Sequence, residues 1–99
     1  MSNRDEIRSA MQEMMNDVMN RGYDLLLQKP EQSEELEKVL SQASESLSEQ
    51  LTEFDQVKTT APEYEMEERY EILSQRAQER NLELLSALQR ISRGQSAFA

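Results

Sequence analysis

Carboxylates are the most crowded of the side chains able to do chemistry: Glu63, Glu65, Glu67 and Glu68 stand in one short run. Such a run would suit a hard cation or an acid–base pair. Its neighbours support neither use. The chain has no histidine to complete a ligand set, and no glycine-bearing calcium loop frames the acids. Placed just behind Pro62, they read as the acidic first turn of a helix. The hydroxyls fare no better. Ser41, Ser44, Ser46 and Ser48 have no base of the usual kind to activate them. With 2 glycines in the whole chain, no glycine-rich phosphate loop is present. The absence of cysteine removes disulfides, iron–sulfur clusters and thiolate zinc sites. The expectation is a non-enzymatic protein with no catalytic, cofactor-binding or metal-binding residues.

What remains is the chemistry of contact. Met11, Met14, Met15 and Met19 gather around Val18 on one face of a helical repeat. Their flexible thioethers fill irregular gaps and suit surfaces that repack against different partners. The plainer use is core filling, which specifies a structure loosely. Further along, Asn81 is the polar member of a row formed by Met66, Tyr70, Leu73, Ala77, Leu84, Leu88 and Ile91. A seam amide can fix register or oligomeric state. A small helix rotation would instead leave it at the seam edge, in water. Met11, Met14, Met15, Val18, Met19, Asn81, Leu84, Leu88 and Ile91 are the candidate partner-binding residues. Together they would offer an apolar groove to an amphipathic helix of another protein.

Three helices must position these residues. The first is expected over about residues 3–28, with Asn3 and Glu6 spaced for a capping box. Its stripe is Ile7, Met11, Met14, Val18 and Leu25, and Gly22 interrupts it. Glycine could end the helix there. Continuation to Gln28 is favoured, because Leu25 and Leu26 stay in phase with Val18. The second helix, about 31–58, opens behind Pro30 and carries Leu36, Leu40, Ala43, Leu47, Phe54 and Val57. Gln50 breaks that seam. The third, about 61–94, is expected to start with a capping box of Thr60 and Glu63 and to end at Arg93 and Gly94. At roughly 50 Å it would be the longest and would overhang the others. Residues 95–99 are expected to be frayed or ordered by a partner.

The fold class that follows is all-α: a single domain, an antiparallel three-helix bundle or helical hairpin with coiled-coil-like seams, compatible with a dimer. Leucine, isoleucine, valine and phenylalanine make up about a fifth of the chain, near the compositional border of disorder. Helical seams make the best use of so little apolar material. The net charge of −9 disfavours nucleic acid and anionic membranes as partners. No run is long and apolar enough to span a membrane, and no signal-peptide core is seen, so a soluble cytoplasmic protein is expected. Charge is uneven: residues 31–71 carry thirteen acids and three bases, residues 72–99 four arginines and two glutamates. Helix-dipole matching accounts for that gradient; an acidic middle that meets a basic partner would account for it too.

Two stretches resemble a known family. Arg21-Gly22-Tyr23-Asp24-Leu25-Leu26 resembles the glycine, acid, aromatic and leucine signal after the first helix of FliT-type flagellar export chaperones. Asn81-Leu82-Glu83-Leu84-Leu85, running on to Arg93-Gly94-Gln95-Ser96-Ala97, is similar to the final helix of those chaperones and their FlgN-like relatives. The chain departs from the pattern in the order of Tyr23 and Asp24, in ending at Phe98-Ala99 without a closing tyrosine, and in being short. The resemblance implies a cytoplasmic bacterial helical chaperone that keeps an exported flagellar or type III secretion component unpolymerised. The residues themselves lead to a chaperone-type adaptor for an amphipathic helix, with a structural coiled-coil subunit of a larger assembly as the alternative.

Overall fold

In the computed structural model, which describes residues 3–98, the chain forms three long helices and no strand among those residues. They are α1 (Asn3–Gln28), α2 (Ser33–Thr60) and α3 (Met66–Ser92). Short 3-10 turns at Pro30–Gln32 and Glu63–Glu65 lead into α2 and α3. Each helix packs against both others to a similar extent. The expected all-α three-helix bundle is what the chain builds.

The breaks follow from proline. Lys29, ahead of Pro30, leaves the helical region at φ −132° and ψ 66°. Ala61, ahead of Pro62, is extended at φ −97° and ψ 141°. A residue before proline is pushed out of the α region by the ring, so both helices stop there. Pro62 itself is extended at ψ 149°, and the α-helix proper begins only at Met66. This corrects the expected third helix. It has 27 residues against 28 in α2 and 26 in α1, so it is neither the longest nor overhanging. The Thr60 capping box is corrected with it. Thr60 ends α2, and its hydroxyl donates back to the Gln56 carbonyl at 2.8 Å. A threonine hydroxyl held by its own preceding turn cannot cap the next helix. The Asn3–Glu6 capping box falls at the entry to α1, which begins at the first described residue.

α1 runs through Gly22 to Gln28, as the phase of Leu25 requires. The reason for glycine lies on α2. A Cβ built at position 22 would stand 2.5 Å from Leu40 Cδ2 and 3.0 Å from its Cγ. The bare backbone lets α2 lay a leucine directly on α1. At the other end Gly94 takes φ 77°, a left-handed conformation that glycine adopts without penalty. Its N–H donates to the Ile91 carbonyl at 2.9 Å, and Gln95 N–H reaches back to the Arg90 carbonyl at 2.9 Å, closing a Schellman motif.

The bundle is a rod of 50 × 26 × 16 Å. Its interior divides into two apolar clusters. One gathers Met15, Val18 and Leu25 with Leu36, Val39 and Ala43 and with Leu84, Leu88 and Ile91. The other gathers Met11, Phe54, Val57, Ala61, Tyr70 and Ala77. The ends of α1 and α3 that come late in sequence share a cluster with the start of α2, so α1 and α3 run parallel and α2 runs opposite. Phe54 and Tyr70 meet with ring centroids 4.6 Å apart, tilted by 34°. Across the surface, the Arg8 guanidinium donates to both Asp55 oxygens, at 3.0 and 3.1 Å, tying α1 to α2.

The tail differs from the expected frayed end. Ala97 is buried in the first cluster. Its N–H and the Ser96 hydroxyl both donate to Glu35 Oε1, at 3.1 and 2.9 Å, and its carbonyl accepts from Arg90 Nη2 at 2.8 Å. The turn at Gly94 aims residues 95–98 back over α2 and α3. Ala99 lies outside the described residues.

Candidate partner-binding surface

The candidate residues lie on α1 and α3 and do not form an open groove. Met11, Met15, Val18, Leu84, Leu88 and Ile91 are all buried, four of them with no measurable exposure. Met14 and Met19 are partly buried against the two clusters. The correction has a simple physical cause. With three helices of nearly equal length, the second half of α3 is covered by α1, by the start of α2 and by Ala97, so its seam is satisfied within the chain. The methionines of α1 are mainly core.

Two of the nine do reach a surface feature. Met14 and Asn81 line a groove between α1 and α3, together with Asp17, Gln78, Leu82 and Leu85, enclosing about 270 Å³. Leu82 is 64% exposed and Leu85 36%. Both lie off the Ala77, Asn81, Leu84, Leu88 seam, so the core takes neither. Sequence periodicity passed over them for that reason. The signal that could have found them is large apolar residues out of phase with the seam, in a chain that has few to spare. Asp17 and Gln78 carried no such signal and are placed by the packing of α1 on α3.

Asn81 is the unusual member. It is 3% exposed, and neither its Nδ2 nor its Oδ1 has a hydrogen-bond partner. Leaving an amide buried and unpaired costs about 1–3 kcal/mol. It sits in sequence between Ala77 of one cluster and Leu84 of the other, so the core is interrupted at its level. Of the two sequence expectations, seam amide or water-exposed edge, the buried position is the observed one. Gln50, which breaks the α2 seam, has a buried Oε1 that is also unpaired.

Two further clefts run between α2 and α3, of about 550 and 210 Å³. They are larger in sum but differ in kind. Glu49 and Glu53 share their walls with Arg76 and Arg80, and Glu65 and Glu68 with Arg69. Each carboxylate there has an arginine within the same cleft. Arg69 pairs with Glu65 at 3.7 Å, and Arg80 donates to Glu83 at 2.9 Å and to Ser46 at 3.2 Å. Exposed apolar side chains elsewhere are Tyr23, Leu27, Tyr64, Ile72 and Phe98. Tyr23 and Leu27 lie one turn apart on the solvent side of α1.

Comparison with protein-family models, with curated proteins and with solved structures finds no match to this chain. None of the described helices is long and apolar enough to cross a membrane.

Proposed function

We propose that this protein is a non-enzymatic helical adaptor of chaperone type, which holds an amphipathic helix of a partner protein in the cytoplasm. A flagellar or type III export component is the kind of client that the resemblance of residues 21–26 and 81–97 implies. The observation that carries the reading is the α1–α3 groove, where Leu82 and Leu85 stand exposed beside Met14 over an unpaired Asn81. A client helix laid there would cover both leucines. Each fully buried leucine is worth roughly 1.5–3 kcal/mol before the cost of ordering the partner is subtracted. Methionine at the groove edge adapts to different side chains.

The experiment is chemical denaturation with and without an amphipathic helical peptide. The midpoint should rise with peptide concentration, corresponding to about 2.7 kcal/mol of added stability at a hundredfold excess over Kd. Leu82→Asp with Leu85→Asp should abolish the rise while helicity stays unchanged. A peptide-independent midpoint would remove the reading.

A structural coiled-coil subunit, associating through α1, is the second reading. Tyr23 at 53% and Leu27 at 85% exposure favour it. A tight dimer in sedimentation that dissociates on Leu27→Asp would establish that role instead.

A further inference from the structure

Resting on the helix-holding reading, we infer that the client is a cationic amphipathic helix, received between the two walls of the α1–α3 groove. The walls are set by helical spacing. Asp17 lines the groove from α1, and Glu6, Glu13 and Asp24 follow it along the same face in steps of three and four or their sums. Gln78 lines it from α3, and Glu71 and Glu67 continue that wall toward the start of the helix. All six carboxylates are solvent-exposed. Among the described residues of these two rows, the only base is Arg21.

The contrast with the other side of the bundle makes the charge meaningful. In the α2–α3 clefts, glutamates share their walls with Arg69, Arg76 and Arg80, so the chain neutralises itself. In the α1–α3 groove Asp17 from α1 and the neutral Gln78 from α3 flank an apolar floor of Met14, Leu82 and Leu85, and no arginine or lysine lines it. Rows carrying six carboxylates and one base would attract lysine and arginine flanking the apolar face of a helix, and would repel an acidic one. From Glu6 to Asp24 the α1 wall spans roughly 27 Å, room for a helix of about eighteen residues. At mid-groove, Asn81 holds a donor and an acceptor without partners. Turned outward into the groove, that amide would pair with a polar side chain in the middle of the client's apolar face.

Two synthetic helices test this, with the same apolar face and either lysine or glutamate along its flanks. Each is titrated into the full chain. The lysine-flanked helix should bind at least about tenfold more tightly, and its affinity should fall as ionic strength rises from ~0.05 to ~0.5 M. Glu13→Lys with Asp17→Lys should erase the preference between the two probes. Glu49→Lys with Glu53→Lys, in the other cleft, should leave it intact. All four positions are exposed or half-exposed on helix surfaces, and circular dichroism checks that helicity is kept. Equal binding of the two probes, or a preference lost through Glu49 and Glu53 instead, overturns the cationic client and leaves the helix-holding reading standing. Binding of neither probe overturns both.

Discussion

Asn81 and Asp55 show how differently two polar side chains stand in this small bundle. Asn81 is a cost to the folded state, since its amide is dehydrated and unpaired. Asn81→Leu should therefore stabilise the protein by about 1–3 kcal/mol, read as a higher urea midpoint with an unchanged slope. A lower midpoint would mean that the amide is satisfied in solution. Asp55 is a gain. Its hydrogen bonds from the Arg8 guanidinium hold its carboxyl below the ordinary value of 3.8. A depressed folded-state value stabilises at pH above the unfolded value and loses that stabilisation as pH falls through the folded one. The pair is part-exposed, so about 0.2–1 kcal/mol is at stake. Asp55→Asn should lower the melting temperature slightly at neutral pH and make no difference in strong acid, where the wild-type carboxyl is also protonated. A deficit that persists at low pH would trace the effect to packing.

At the scale of the helices, glycine and proline decide most of what is seen. Both prolines stop the preceding helix, and that much was legible in the sequence. Where α3 begins was not. Pro62 was expected one residue into the helix and instead precedes a 3-10 turn, because Thr60 is engaged by α2 and leaves no side-chain cap for α3. Gly22 was legible as a residue inside a helix, though its purpose was not. Helix propensity alone favours Gly22→Ala by about 1 kcal/mol. The new methyl would meet Leu40, so the variant should be less stable than the wild type by thermal melting. Pairing it with Leu40→Ala tests the contact directly. The double variant should lose less than the sum of the two single losses, with a coupling of about 0.5–3 kcal/mol. Simple additivity would show that α1 and α2 separate freely at this point.

Taken whole, the molecule is an elongated bundle whose core is split into two clusters with Asn81 in sequence between them. Each helix contributes to both clusters, so neither can come apart without unravelling all three helices. A single cooperative transition is expected. Nuclear magnetic resonance would follow Tyr70 in one cluster and the Leu88 methyls in the other through a urea titration. Coincident curves are expected; loss of the Tyr70 signal ahead of Leu88 would show two independently melting halves. The same arrangement limits where a partner can bind. The seams are consumed internally, and the large apolar residues left exposed on the α1–α3 groove are Leu82 and Leu85.

The sequence by itself determined the number of helices, their approximate ends and their inward faces. Those properties follow from local periodicity and from proline chemistry, which act within a few residues. Met11, Met15, Val18, Leu84, Leu88 and Ile91 were read as apolar faces seeking cover, and faces they are. What covers them depended on distant residues that no local pattern encodes. Equal helix lengths let α1 and α2 close over the second half of α3, and Glu35 pins Ser96 and Ala97 across the end. Only that packing decided that the methionine stripe is mainly interior, that Leu82 and Leu85 are left exposed beside the α1–α3 groove, and that Asn81 is buried with nothing to bond.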